Sequence, residues 1–171
     1  MVMTKTYRAV LAGGVLLGSI NAAACLAQDA ASPKFTMFGG AGVADSQGHA
    51  RGAMQFGASF DEAPPGIWGG FLFEGGYIGP WANLKAGSAI LSANYMVAWA
   101  AHKKWKAVPF ATVGYSRLFG TGNAVNFGGG VDYHIRKTQA IRVEVRDYLA
   151  FTTPIQHNVA LRLGWVTYLP D

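Results

Sequence analysis

Between Ala140 and Phe151, charged side chains recur at every second position: Arg142, Glu144 and Arg146, with Ile141, Val143 and Val145 between them. In an extended chain that spacing puts three charges of mixed sign on one face, within reach of each other and of facing strands. Arg51, Glu74, Asp132 and Arg162 are set among apolar, glycine-rich neighbours in the same way. Four positive charges then oppose three negative ones. Held away from bulk water, such a set can pair into salt bridges, line a narrow ion path or orient a ligand. An isolated buried charge costs several kcal/mol, so near balance favours pairing.

Nucleophilic catalysis would need a serine, a histidine and an acid brought together. The histidines are His49, His102, His134 and His157, and none has a serine one to three positions away on a shared strand face. Ser46 precedes His49 by three but falls in a predicted loop. His157 adjoins the loop Thr152-Thr153-Pro154-Ile155-Gln156, and His102-Lys103-Lys104 reads as a basic turn. No ligand cluster suggests a metal, and the single cysteine excludes an internal disulfide framework or a multi-thiolate metal site. Gly39-Gly40-Ala41-Gly42 and Gly128-Gly129-Gly130 are not phosphate loops, because no helix follows them. No cofactor is expected.

The chain that must position these residues has 171 residues, 51% apolar and 13% charged, with 23 glycines. That length suits one domain, and the charge content is about half the usual 25%. Such a composition excludes a disordered or acidic-tail protein. Residues 1–27 read as an export signal: Lys5 and Arg8, an apolar run from Ala9 to Ile20, then small residues up to Ala27. Cleavage after Ala27 is one outcome, and lipidation at Cys25 is the other. Loss of Lys5 and Arg8 lowers the net charge from +5 to +3, so the basic balance is weak evidence for nucleic acid, and none is expected as a partner. Residues 28–34 form a polar leader, and residues 35–171 the folded domain. Nothing beyond the N-terminus is long and apolar enough for a membrane helix, which takes about 20 residues.

From Phe35 onward the recurring signal is period-two alternation, with no helical period. It predicts eight strands, at approximately 35–44, 50–61, 67–78, 88–102, 107–119, 124–135, 140–151 and 157–169. Turn residues such as Asp45-Ser46-Gln47-Gly48, Glu62-Ala63-Pro64-Pro65-Gly66 and Gly120-Thr121-Gly122-Asn123 separate them. Pro109 makes the fifth strand the least regular, since proline removes a ladder donor. At 10 to 15 residues these strands exceed the usual five or six and match the roughly 9 to 11 tilted residues that cross a bilayer. Eight consecutive strands with short links predict an all-β, antiparallel up-and-down barrel, which leaves no exposed edge.

Alternation alone does not say which face points out. Three features favour apolar residues outward, towards lipid. Lysines 34, 85, 103, 104, 106 and 137 all fall at strand ends or turns. The polar face is mostly Gly, Ala, Ser, Asn and Gln, small enough for the interior of an eight-stranded barrel. Aromatics on the apolar face gather near strand ends: Phe35, Phe60, Trp99, Tyr133 and Trp165 at one rim, Tyr77, Tyr115, Phe119 and Phe151 at the other. Two such girdles are expected where a membrane barrel meets headgroups. The inverse arrangement, a secreted lipocalin-like barrel with an apolar ligand cavity, is the alternative.

The eight-strand pattern, with Asn126-Phe127-Gly128-Gly129-Gly130-Val131-Asp132-Tyr133 and Ile141-Arg142-Val143-Glu144-Val145-Arg146-Asp147-Tyr148, resembles the barrels of small OmpA/OmpX-type outer-membrane proteins over about residues 35–169. The resemblance implies a transmembrane β-barrel in the outer membrane of a Gram-negative cell. Outer-membrane lipid including lipopolysaccharide would surround it, and the barrel-assembly machinery and periplasmic chaperones would act during biogenesis. The chain departs from the family's aromatic terminal signal by ending Tyr168-Leu169-Pro170-Asp171. No peptidoglycan-binding domain is expected after the barrel. Some barrels of this kind modify lipid A, but the histidine spacing does not match theirs. The expected role is therefore structural or surface-interacting and non-catalytic, in a monomer whose lumen is plugged by Arg51, Glu74, Asp132, Arg142, Glu144, Arg146 and Arg162. A narrow ion path is the functional alternative for those charges. The expected outer loops are Asp45–His49, Gly79–Ser88, Gly120–Asn123 and Thr152–Gln156. The longest of them, with Pro80-Trp81-Ala82-Asn83-Leu84-Lys85, is the best contact candidate.

Overall fold

The computed structural model describes residues 33–46, 49–62, 69–99 and 106–169. The export signal, Cys25, most of the polar leader, His102 with Lys103 and Lys104, and the chain end Pro170-Asp171 lie outside the described residues.

Eight strands follow one another: β1 (Lys34–Ser46), β2 (His49–Glu62), β3 (Gly70–Pro80), β4 (Ser88–Ala98), β5 (Ala107–Leu118), β6 (Gly122–Arg136), β7 (Gln139–Ala150) and β8 (Gln156–Tyr168). Each pairs antiparallel with its sequence neighbour, and β1 pairs with β8 from Lys34↔Tyr168 to Asp45↔His157, closing the barrel. Closure satisfies the ladder of every strand and leaves no edge. β1 begins and β8 ends at one rim of the barrel, here called lower; the hairpins β1–β2, β3–β4, β5–β6 and β7–β8 close the upper rim.

Strand boundaries shift where the ladder dictates. β3 runs to Pro80, two residues beyond the expected end, because Pro80 still pairs with Ala53 and Trp81 N–H donates to Gly52 O at 3.2 Å. β4 ends at Ala98, and Trp99 lies just past it, half-buried; the rest of the expected strand, 100–102, lies outside the described residues. The expected leader ends one residue early: Lys34 is already in β1, and Leu169 N–H donates to Pro33 O. Pro109 is accommodated because the β4–β5 register ends at Ala98↔Phe110. Its carbonyl still accepts Trp99 N–H at 2.9 Å. In the tight β5–β6 turn, Gly120 (φ 89°) and Gly122 (φ 137°) adopt the left-handed backbone that other residues resist.

Side chains alternate as the sequence does, with the apolar row outward. Met37 is 62% exposed, Leu163 59% and Leu161 54%, while Arg146 and Tyr148 are fully buried. A water-soluble barrel would invert this pattern. Among the described residues Glu74, Asp132, Arg142, Glu144, Arg146 and Arg162 face the interior, the reverse of a lipocalin-like barrel with an apolar cavity and a charged exterior. Inward glycines make room for the larger fillers. A β-carbon on Gly130 would lie 3.0 Å from the Phe110 ring, and one on Gly57 2.8 Å from the Phe38 ring.

Candidate functional site

The site is the lumen. Its charged side chains are supplied by alternate residues of β1, β2, β3, β6, β7 and β8, and they form two tiers. The middle tier contains Glu74 from β3, Glu144 and Arg146 from β7, and Arg162 from β8. Glu144 and Arg162 are register partners in adjacent strands, whereas Glu74 reaches them from the opposite wall. Arg162 Nη2 donates to Glu74 Oε2 at 2.8 Å, and Arg162 Nε lies 3.6 Å from Glu144 Oε2. Arg146 Nε donates to Glu144 Oε1 at 2.7 Å, and its Nη1 to Asn126 Oδ1 at 2.6 Å. Tyr148 donates to Glu74 Oε1 at 2.5 Å and accepts from Gln55 Nε2 at 2.8 Å, which brings β2 into the same network. The Arg162 guanidinium stacks 3.6 Å from the centre of the Phe38 ring, a cation–π contact strengthened by desolvation.

The lower tier is centred on Arg142 of β7. Its Nε and Nη2 form a two-point pair with Asp132 at 2.7 and 2.9 Å, and Nη2 also donates across the lumen to Asp61 of β2 at 2.9 Å. Lys34 Nζ lies 3.8 Å from Asp132 Oδ2. The Arg142 guanidinium sits 4.6 Å from the Phe110 ring centre. Leu72, Met96 and Phe110 fill the β3–β5 side at this level, and above the middle tier Ile78, Ile90, Leu118, Ala124 and Ala150 pack around Tyr148. An eight-stranded barrel is just wide enough for side chains to fill; here two ionic tiers fill it, with apolar side chains beside the lower one and above the middle one.

Each tier is neutral, with two cations against two carboxylates. This composition differs from the expected set of seven. Arg51 is the exception: it lies on the inward alternation of β2 but is exposed, because β3 ends opposite Ala53 and leaves no wall beside it. Lys34 and Asp61, both buried, stand in the lumen without having been expected there. Each lies on the inward alternation of its strand, Lys34 with Thr36 and Phe38, Asp61 with Gln55 and Ser59. Extending the period-two count to the strand ends would have found them.

The aromatic residues sit on the outer wall. Phe35, Phe60, Tyr133 and Trp165 face outward near the lower rim, and Tyr115, Phe119 and Phe151 near the upper rim. Trp99 stands past the end of β4 rather than on it. Tyr77 stacks on Phe56 with ring centres 5.2 Å apart, and its hydroxyl donates to the Leu84 carbonyl. Phe71 packs against Phe73 and Tyr95, with ring centres 6.5 and 6.1 Å away, a lower group that the expected girdle did not include.

On the upper outer wall His157 Nδ1 lies 3.1 Å from Asp147 Oδ2. Among the described residues, no serine hydroxyl is hydrogen-bonded to any histidine. His134 instead meets the Tyr168 hydroxyl at 3.2 Å near the lower rim.

No family model matches the sequence, and no curated protein does. Solved structures do share the fold. Neisserial surface protein A matches with a TM-score of 0.62 at 10% identity, covering 80% of this chain and 97% of that one. The N-terminal β-barrel domain of Pseudomonas aeruginosa OprF matches with a TM-score of 0.52 at 12% identity, covering 80% and 97%. The outer membrane enzyme PagL matches with a TM-score of 0.50 at 16% identity, covering 78% and 99%. At these identities the likeness speaks for architecture alone, and the neighbours include both an enzyme and a surface protein. The chain has the closed eight-stranded, antiparallel up-and-down fold of the small OmpA/OmpX-type outer-membrane barrels.

Proposed function

We propose that this protein is an exported, monomeric outer-membrane barrel with a structural or surface-interacting role, a plugged lumen and no catalytic activity. The observation that carries the reading is the division of the wall. Large apolar side chains cover its outside, while eight charges are paired off within. In water the outer row would be a continuous sticky surface; in hydrocarbon it is the required one, since closure satisfies every strand internally. The two sets of outward aromatics fit the headgroup levels at which such rings settle. The surrounding lipid, lipopolysaccharide included, is then the constant partner, with the barrel-assembly machinery and periplasmic chaperones engaged during biogenesis.

Two tiers of paired, buried charges favour a plug over a pore. A lipid-modifying reading has one observation in its favour, the His157–Asp147 pair on the outer wall. It needs a nucleophile beside that histidine, and no hydroxyl bonds to it among the described residues. Cell fractionation tests the proposal. The protein should remain with the outer membrane, need detergent for extraction and show heat-modifiable gel mobility, and lipid A from overexpressing cells should keep its mass. Solubility without detergent would overturn the membrane placement, and a changed lipid A mass would overturn the non-catalytic role.

A further inference from the structure

The outer wall is uneven, and one part of it is built as a groove. Across β2 to β5 the ladder sets Ala58 beside Gly75, Gly75 beside Leu91, and Leu91 beside Arg117. All four face outward, and the first two are nearly without side chains. One step lower, Phe60, Phe73 and Tyr115 stand along the same direction and form a wall. The stacked pair Phe56 and Tyr77 stands on the other side of the Ala58–Gly75 floor. The Ala58–Gly75–Leu91 floor and the lower wall line an open trough of about 640 Å³ that runs from Phe35 on β1 to Arg117 on β5; Phe56 and Tyr77 stand outside its lining. Four strand spacings of about 4.8 Å make it roughly 19 Å long.

The register also gives the trough a direction. It starts next to the lower end of β1 and finishes at Arg117, one residue from the upper end of β5. Arg117 is exposed there, with Nη1 held by Asn123 Oδ1 at 2.7 Å. A guanidinium has five N–H donors, so this single hydrogen bond leaves donors aimed outward. Among the described residues no carboxylate lies within ion-pair distance of Arg117. The outward acids at this level, Asp45 and Asp147, belong to β1 and β7 and stand outside the groove. An apolar trough capped at the outer-leaflet end by a tethered cation matches an anionic amphiphile: one extended chain along Ala58, Gly75 and Leu91, one phosphate on Arg117.

We propose that this groove binds one acyl chain of lipopolysaccharide, with Arg117 taking a lipid A phosphate. The assignment rests on the outer-membrane reading above, since only there does the outer leaflet supply that lipid at the Arg117 end. On β7 and β8 the outward rows carry bulk instead, as in Val143, Val145, Leu161 and Leu163.

The test is native mass spectrometry of the refolded full chain in detergent, with diphosphoryl lipid A or zwitterionic phosphatidylethanolamine added. The wild type should retain one lipid A, at least tenfold more tightly than phosphatidylethanolamine. Arg117→Glu should weaken retention at least tenfold. Gly75→Trp should abolish it by filling the floor; a β-carbon at Gly75 meets only Leu91 Cδ2, at 3.5 Å, an ordinary contact. Leu163→Trp, on the outer face of β8, should leave retention unchanged. Equal retention by Arg117→Glu and the wild type would overturn the proposal, as would equal binding of the two lipids. Heat-modifiable mobility reports folding of each variant. Arg117 is an exposed rim residue, so its variant decides the matter even if Gly75→Trp does not refold. A chain that folds without detergent would instead defeat the membrane reading itself.

Discussion

The two ionic tiers solve the same problem with different means. In the middle tier each charge faces at least two opposite groups. Glu74 takes Arg162 and lies 3.8 Å from Arg146; Glu144 takes Arg146 and faces Arg162; and Tyr148 and Asn126 complete the hydrogen bonding. The tier is sealed above by apolar side chains. The lower tier depends on one residue, since Arg142 alone bridges Asp61 and Asp132 while Lys34 stands 3.8 Å off at the first position of its strand. A closed ring of pairs has no slack, whereas a fan around one cation beside the rim can be repaired by water. Desolvation makes an orphaned charge costly in proportion to how far it lies from water, so the tiers should differ in what their loss costs.

That difference can be broken in order of effect. Glu74→Ala leaves Arg146 and Arg162 sharing a single carboxylate in the sealed tier, and should lower unfolding stability by about 3–5 kcal/mol. The readout is the urea midpoint followed by tryptophan fluorescence in lipid vesicles. Combining it with Arg162→Ala should recover part of the loss, because the pair then leaves together; the double-mutant cycle should report coupling above about 1 kcal/mol. Arg142→Ala should cost less, about 2–3 kcal/mol, since Lys34 and water near the rim can partly serve Asp132. Lys34→Met should cost about 1 kcal/mol, because Arg142 keeps both its bonds to Asp132. Arg51→Ala should stay within about 0.5 kcal/mol, as expected of an exposed rim residue. If Arg142→Ala proved costlier than Glu74→Ala, the contrast between closed ring and open fan would fail.

The same contrast explains what was legible in the sequence. The middle tier could be read from alternation alone, because Glu74, Glu144, Arg146 and Arg162 sit inside long strands where a charge cannot be a turn residue. Half of the lower tier was missed. Lys34 and Asp61 sit at strand ends, where charges ordinarily mark solvent, and only the period-two count carried to those ends places both on the inward row. Arg51 was misplaced for the mirror reason. Its parity points inward, but the neighbouring strand stops before reaching it, and strand length relative to a neighbour is not written in a periodicity. The overall fold followed from eight alternating segments and short links, since closure is the way such a meander satisfies its edges. The groove ending at Arg117 was not legible, because it depends on cross-strand register rather than on any one strand.

The central claim is that two neutral tiers close the lumen, and planar-bilayer recording of the refolded chain tests it most directly. The account predicts a trace at the bare-bilayer baseline for the wild type, with no unitary steps. Resolved unitary openings in the wild type, altered in size by Arg146→Ala, would contradict it.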